Sequence, residues 1–311
     1  MAKILITESI HAVGPELMQA AGHQLVFADR DQEVIRREIV DADAVIVRIV
    51  ELPRALLETA KQLKIVSKQG VGVDNIDLDY CKEAGIAVTI TPDANSLSVA
   101  EHAFALLMTL SKNVIPVSKA YREIGFAAKN SKEGVEVSEK TAGVIGLGRI
   151  GKRFAHMCSG GFGMRVLAYD PYVTQAPEGV ELVSSLDELL KQADFVSLHC
   201  ALTDETRRLI NRERLAEMKP TAILINCARG PMVDEAALIE ALQSGRLAGA
   251  GLDVTDPEPV APDSPLFQMP NVIVTPHYAP TTIESAMRVS KIASENVIAC
   301  LSGGEPGGRV V

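Results

Sequence analysis

The sequence predicts an α/β protein with two doubly wound parallel sheets. Short aliphatic and β-branched runs alternate with helical patterns of about 8 to 10 residues, as in consecutive βα units. A glycine-rich segment at residues 141–151 begins a second series of these units. The length of 311 residues is sufficient for two domains.

The first part of the chain predicts one small α/β domain without a glycine fingerprint. Predicted strands and the helices between them lie at 3–7, 15–21, 24–28, 32–40, 44–47, 53–60, 64–67, 77–84 and 86–90. Residues 69–75 form a glycine-rich turn after one of these strands. Its backbone N–H groups suit an anion site, and an ordinary tight turn explains the sequence equally well.

A long apolar helix is predicted at residues 99–110, and its composition indicates that it is buried. His102 lies within it, and a lone histidine in a helix is more often packed than catalytic. The polar residues 125–139 predict a loop that leads to the next strand.

The segment from Gly143 to Gly151 predicts a dinucleotide-binding turn. Gly146, Gly148 and Gly151 have the G-x-G-x-x-G spacing, which allows a tight turn, close approach of a pyrophosphate and close packing of helix on strand. The helix N-terminus would face the phosphates. Asp170 follows the next strand, about 20 residues after the last glycine, where a carboxylate accepts from ribose hydroxyls.

Six strands are predicted from Gly143 onward, the number in a complete Rossmann sheet. The later ones lie at 165–169, 194–198, 222–226, 249–253 and 272–275. A last helix at 283–301 precedes a glycine-rich tail that we expect to be loose.

Three polar side chains follow neighbouring strands of this second sheet. Arg229 suits a substrate carboxylate, His277 suits proton transfer, and Glu258 suits orientation of the histidine ring. With a dinucleotide, this set fits hydride transfer coupled to proton transfer. Surface loops often contain such residues, so spacing alone leaves a chance arrangement open.

Charge, hydropathy and cysteine content disfavour several classes of protein. A net charge of −9 disfavours nucleic acid as a partner, and no apolar run is long enough for a membrane span. Five scattered cysteines without C-x-x-C spacing predict free thiols in the cytoplasm, with no disulfide framework and no metal site.

Several segments together resemble the D-2-hydroxyacid dehydrogenases, most closely their 3-phosphoglycerate dehydrogenase-like branch. They are residues 70–77, 98–102, 144–151, 226–230, 249–253 with Glu258-Pro259, and 275–277. The resemblance implies a flavodoxin-like and a Rossmann-like domain with a cleft between them, and usually a homodimer. It places the substrate domain at 1–97 plus 283–311 and the NAD-binding domain at 98–282.

The same resemblance assigns roles to individual residues. Arg229, Glu258 and His277 would be catalytic, and Val71 and Gly72 would hold the substrate carboxylate through their backbone. The residues implied at the cofactor are Gly146, Gly148, Arg149, Ile150, Gly151, Asp170, Cys200, Cys227, Ala228, Asp253 and Val71. Asp170 disfavours a 2′-phosphate by charge repulsion, so we expect NAD and not NADP.

The chain departs from the family pattern at some substrate-side positions. Tyr278 and Pro280 follow the histidine in place of small residues, so Tyr278 either narrows the pocket or packs beneath the loop. Arg48 and Lys68 either bind a second anionic group of the substrate or are ordinary solvated cations.

The leading function is therefore a 2-hydroxyacid dehydrogenase acting on a 3-phosphoglycerate-like or other dianionic acid. Hydroxypyruvate, glyoxylate and sulfolactate remain alternative substrates. A different class, an NAD(H)-sensing binding protein or co-repressor, also keeps this fold. Formate oxidation is disfavoured because its enzymes typically carry an amide where this chain has Glu258.

Overall fold

The computed structural model describes residues 1–311, which form two compact units. One unit consists of Met1–Asn95 and Thr281–Val311, and the other of Ser96–Pro280. These junctions lie two residues before the domain limits expected from the sequence. None of the helices is both long and apolar enough to cross a membrane.

The first unit contains a five-stranded parallel sheet with the order β2-β1-β3-β4-β5, which is the flavodoxin-like order. Its strands are β1 Lys3–Ile6, β2 Gln24–Phe27, β3 Ala44–Val47, β4 Ile65–Lys68 and β5 Ala87–Thr89. Its helices are α1 Val13–Ala20, α2 Gln32–Glu38, α3 Arg54–Leu57, α4 Leu78–Ala84 and α11 Ile283–Leu301. The central strands β3 and β4 are fully buried, as expected where helices cover both faces of a parallel sheet.

The last helix, α11, returns to this unit and packs closely on α1. Small residues permit the contact, because a Cβ added at Gly14 would lie 2.4 Å from Ser290 Oγ. The tail beyond the helix is not loose, contrary to the sequence prediction. Ile90 N donates to Gly308 O at 2.9 Å and Val310 N to Val88 O at 2.8 Å, so the tail pairs with β5.

The second unit contains a seven-stranded parallel sheet with the order β12-β11-β10-β9-β6-β7-β8. Its strands are β6 Thr141–Ile145, β7 Arg165–Tyr169, β8 Val180–Leu182, β9 Phe195–Leu198, β10 Ile223–Asn226, β11 Gly249–Leu252 and β12 Val272–Val274. The prediction of six strands was wrong because it omitted β8. This strand has three residues, none of them buried, at the sheet edge. The two-sheet α/β fold class is confirmed.

The helices of this unit are α5 Ser96–Ser111, α6 Val114–Ile124, α7 Arg149–His156, α8 Leu186–Gln192, α9 Arg212–Glu217 and α10 Glu235–Gln243. Helix α5 packs against α7 and the strands β10, β11 and β12, with one face buried. The loop predicted at 125–139 is partly wrong, since Gly125–Asn130 forms a 3₁₀ helix.

Candidate active site

In the glycine turn after β6, packing within the chain requires glycine at two positions. Gly146 has a φ of +93°, and a Cβ there would lie 2.7 Å from the backbone nitrogen of Cys200. A Cβ at Gly151 would lie 2.0 Å from the carbonyl oxygen of Gly146. Both positions therefore exclude a side chain whether or not a ligand is bound.

Gly148 differs, because packing does not require a glycine there. It has a φ of −69°, and an added Cβ would meet no atom within 4 Å. It precedes α7, whose first turn receives no hydrogen bond from a capping side chain. Open space beside the N–H groups of Arg149 and Ile150 is what a pyrophosphate requires, so these residues fit a dinucleotide.

Asp170 follows β7 and is tied to the same turn. Leu147 N donates to its Oδ2 at 2.8 Å, and Tyr172 N donates to its Oδ1 at 2.9 Å. The carboxylate is therefore fixed beside the glycine turn, where a ribose attached to a bound pyrophosphate would lie.

The remaining predicted groups of this unit follow adjacent strands. Strands β9, β10, β11 and β12 are parallel neighbours, with Asn226 level with Leu198 and Leu252. Their carboxyl ends therefore form one edge of the sheet. Chemical groups emerge there from each strand, namely Cys200, Cys227, Ala228, Arg229, Asp253, Glu258 and His277.

Arg229 is presented by a short turn that Asn226 organises. The Asn226 side chain accepts from Ala228 N at 3.0 Å and donates to Arg229 O at 2.9 Å. Gly230 then passes against the backbone of the next loop, since a Cβ there would lie 1.8 Å from Thr255 O. The guanidinium is partly buried and donates from Nη1 to Ala228 O at 2.7 Å.

His277 and Glu258 form a direct pair. His277 Nδ1 lies 2.7 Å from Glu258 Oε1, and the side chains are 38% and 43% exposed. A carboxylate accepts only, so Nδ1 carries the proton. The other ring nitrogen, Nε2, has no partner within the chain and is available to a small molecule.

Asp253 holds the backbone of the segment that carries His277. The residue is 1% exposed, and its Oδ1 and Oδ2 accept from Tyr278 N at 2.7 Å and Ala279 N at 2.8 Å. Its carbonyl oxygen accepts from His277 N at 2.8 Å. Asp253 thus determines where the acid–base side chain lies.

The thiols at this edge are not nucleophiles. Burial raises the pKa of Cys200 to about 11, and burial with the nearby Asp253 carboxylate raises the pKa of Cys227 well above its ordinary value. Both are protonated at neutral pH, so they act as small neutral groups.

His199, directly after β9, is half-buried under the glycine turn. A Cβ at Gly151 would lie 3.4 Å from its Cβ, and its Nε2 lies 2.9 Å from Ser197 Oγ. Burial lowers the pKa of His199 to about 3, so the ring is neutral. The sequence prediction did not include this residue.

The first unit presents its own candidate anion site after β4. Val71 is exposed, and the backbone N–H groups of Val71 and Gly72 have no acceptor within the chain. Gly70, with a φ of +135°, is fixed by hydrogen bonds to Thr91. Two adjacent free N–H groups in a fixed turn suit a carboxylate.

The two predicted cations of this unit differ in their surroundings. Lys68 is 7% exposed and donates to Arg48 O and Asn75 Oδ1. Arg48 is half-buried and makes one long hydrogen bond of 3.4 Å to Thr281 Oγ1. Arg48 is therefore more accessible to a ligand than Lys68.

Glu8 fixes the strand end that carries Arg48, and the sequence prediction missed it. This 4% exposed carboxylate accepts from the backbone nitrogens of Arg48, Ile49 and Val50 at 2.6 to 2.9 Å. The only signal in the sequence was an acid placed directly after a buried strand.

Tyr278 is 51% exposed, so it is not packed beneath the loop. Its ring meets His102 edge-on, with 6.0 Å between the ring centroids. No group of three or more His, Cys, Asp or Glu side chains is positioned to hold a metal ion.

The chain is similar to known proteins over most of its length. Residues 104–279 match the family model for the D-isomer specific 2-hydroxyacid dehydrogenase NAD binding domain. The chain is 41% identical to D-3-phosphoglycerate dehydrogenase of Methanocaldococcus jannaschii over 307 residues, which are 97% of this chain and 58% of that protein. The chain thus spans somewhat over half the length of that relative.

Two further relatives match over most of their length. Glyoxylate reductase of Korarchaeum cryptofilum is 40% identical over 90% of this chain and 86% of its own. The crystal structure of the TT0316 protein from Thermus thermophilus superposes with a TM-score of 0.90 at 37% identity, covering 99% of this chain and all of that one.

The family resemblance predicted from the sequence, including its 3-phosphoglycerate dehydrogenase-like branch, is confirmed by these matches. The glycine turn and Asp170 lie within the matched NAD-binding region, as do Arg229, Glu258 and His277. The chain belongs to the D-isomer specific 2-hydroxyacid dehydrogenase family, with NAD as the cofactor of its second unit.

Proposed function

We propose that the protein catalyses reversible hydride transfer between NAD(H) and a small 2-hydroxy or 2-oxo acid. The observation that carries this proposal is the His277–Glu258 pair at 2.7 Å, located on the same sheet edge as Arg229 and the glycine turn. An acid–base group beside a carboxylate-binding group is what this reaction needs from the protein.

The proposed roles follow from the hydrogen bonds. His277 exchanges a proton with the substrate oxygen through Nε2, while Glu258 accepts from Nδ1–H and stabilises the imidazolium. Arg229 binds the substrate carboxylate. The free N–H groups of Val71 and Gly72 are a second candidate for binding this carboxylate. When bound, the nicotinamide supplies or accepts the hydride.

The cofactor preference is proposed to be NAD over NADP. Asp170 is held by the glycine turn, and a fixed carboxylate beside the ribose would repel a 2′-phosphate. The next two residues, Pro171 and Tyr172, offer no positive charge to a phosphate. Equal kcat/KM with NADH and NADPH would contradict this preference.

For the substrate, we favour a 3-phosphoglycerate-like or other dianionic acid. Arg48 is the accessible cation for the second charge, whereas Lys68 is engaged with Arg48 O and Asn75. Glyoxylate or hydroxypyruvate is the second candidate, supported by the relative named glyoxylate reductase, which this chain covers over 86% of its length.

The proposed function is tested by following NADH absorbance with a panel of 2-oxo acids that differ in their second charged group. Turnover with at least one acid is expected, and Arg48→Met should raise KM for a dianionic acid far more than for glyoxylate. If no acid of the panel changes the NADH absorbance although NADH binds tightly, an NAD(H)-sensing protein would be favoured instead.

We also propose that the chain forms a homodimer through α6 and the 3₁₀ helix after it. Helix α6 buries no residue within the chain and exposes Val114, Ile115, Tyr121 and Ile124, next to Phe126 at 76% exposure. Such an apolar surface on a helix indicates a protein partner. A cytoplasmic location is inferred from the five free cysteines.

A further inference from the structure

The segment that carries His277 has an unusual backbone. His277 has a φ of +52°, in the left-handed region that residues other than glycine seldom adopt. Surrounding hydrogen bonds must hold it there, because this conformation is unfavourable for a residue that carries a Cβ. Asp253 provides them, by accepting from Tyr278 N and Ala279 N and, through its carbonyl oxygen, from His277 N.

The side chain of Thr275 adds one more bond to Asp253 and connects it to helix α5. Thr275 Oγ1 lies 2.5 Å from Asp253 Oδ1 and 3.0 Å from His102 Nε2. A carboxylate cannot donate, so the single hydroxyl proton of Thr275 points to Asp253. The hydroxyl oxygen must then accept from His102, and His102 carries its proton on Nε2.

His102 is well placed to hold this arrangement. Its side chain is 17% exposed, Nε2 lies 3.6 Å from Asp253 Oδ1, and its ring contacts the Tyr278 ring edge-on. It is carried by α5, a 16-residue helix that packs on β10, β11 and β12. The histidine thus links a rigid element to both ends of the segment 275–278.

We propose that His102 is a positioning residue for the acid–base segment. By donating Nε2–H to Thr275, it orients the Thr275 hydroxyl towards Asp253 and so stabilises the backbone that presents His277. It does not contact the reacting atoms. Its kinetic consequence depends on the proposed dehydrogenase function, whereas its structural consequence, a fixed His277, does not.

The kinetic test compares His102→Met with His102→Gln. Methionine fills similar space without a donor, and the glutamine amide can place an N–H near the Nε2 position. Loss of one hydrogen bond in this network should lower kcat about tenfold in His102→Met and leave the Kd for NADH within about twofold of wild type. In His102→Gln, kcat should be largely restored. Ala105→Gln, exposed on the same helix, is the control and should leave kcat unchanged.

A double-mutant cycle shows whether His102 acts through Thr275. Thr275→Val alone should lower kcat by a similar factor, and combining it with His102→Met should add little, since both remove the same link. The proposal is overturned if His102→Met keeps full kcat, if His102→Gln behaves like His102→Met, or if the two effects multiply.

An NMR measurement tests the positioning without requiring activity. Long-range ¹H–¹⁵N spectra of the imidazoles should show His102 protonated at Nε2, and the His277 resonances should shift in Thr275→Val and His102→Met but not in Ala105→Gln. Unmoved His277 resonances, or a His102 proton on Nδ1 alone, would overturn the proposal. A wild type inactive on every acid would reject the dehydrogenase function and leave this measurement valid.

Discussion

Glu258 accepts a hydrogen bond from His277, and its negative charge is what the pairing contributes to proton transfer. In Glu258→Gln the shape remains and the charge is lost, so the imidazolium is no longer stabilised. We expect kcat to fall roughly 100-fold, with little change in the Kd for NADH. Steady-state kinetics and NADH fluorescence measure the two quantities.

The matched control is Glu217→Gln, which removes a carboxylate from a surface ion pair with Lys191. It should leave kcat unchanged. Equal kcat for Glu258→Gln and wild type would show that Glu258 does not support proton transfer.

His199 predicts a pH dependence of folding stability. Its pKa is about 3 in the folded protein, because burial disfavours the charged ring, against 6.5 for the unperturbed group. Below this ordinary pKa the unfolded chain therefore binds one more proton at this site, and the contribution of His199 to stability is lost as pH falls towards 3. The contribution is fully present above pH 6.5.

Denaturant unfolding between about pH 4.5 and 7.5 measures this effect. His199→Phe has no titrating ring at this position, so its unfolding free energy should rise less steeply with pH. The difference in slope should correspond to one bound proton. An unchanged slope would mean that His199 can be protonated in the folded state.

At the residue level, the sequence indicates the candidate chemical groups but not all of the residues that hold them in place. Arg229, Glu258 and His277 follow strand ends, which is a signal readable from sequence. His102 gave no such signal, because its partners Thr275 and Asp253 lie far along the chain and only the fold brings them together. For Lys68 the sequence left a ligand-binding cation and a solvated cation both open, because burial is not readable from one residue.

The glycine turn shows that one motif contains two kinds of glycine. A Cβ at Gly148 meets no protein atom, whereas a Cβ at Gly151 would lie 2.0 Å from Gly146 O. We therefore expect Gly148→Ala to keep wild-type stability and to weaken NADH binding at least about tenfold. Gly151→Ala should lower the unfolding free energy by about 1–3 kcal/mol, since the helix must shift.

Thermal unfolding without cofactor and NADH titration distinguish the two variants. Gly161→Ala, at an exposed position where an added Cβ would meet no atom within 4 Å, controls for the general effect of replacing glycine. Equal losses of stability at Gly148 and Gly151 would contradict this account of the turn.

At the level of elements, the alternation of strands and helices was readable because parallel strands buried on both faces form apolar runs. The exceptions are short or exposed. Strand β8 has three residues and no buried side chain, and the 3₁₀ helix Gly125–Asn130 lies in a polar segment. The tail pairs with β5 through backbone groups, which leave no trace in the sequence.

At the level of the whole molecule, the apolar surface of α6 is not covered by any other part of the chain. The side chains of Val114, Val117, Tyr121 and Phe126 line a groove of about 490 Å³. Phe126→Glu should convert the proposed dimer to a monomer, because a charge at this position cannot be buried without a partner. Light scattering after size exclusion measures the mass.

Met287→Glu is the control, since it adds the same charge to an exposed methionine on α11. It should remain dimeric. A wild-type protein that is monomeric at micromolar concentration would reject the proposed interface.

The acid–base role proposed for His277 is tested most directly by the kinetics of His277→Gln with the best acid of the panel. We expect kcat to fall by about 10² to 10⁴ while the Kd for NADH stays within about twofold of wild type, because His277 transfers the proton and the glycine turn holds the cofactor. Retention of wild-type kcat in this variant would show that His277 does not transfer the proton.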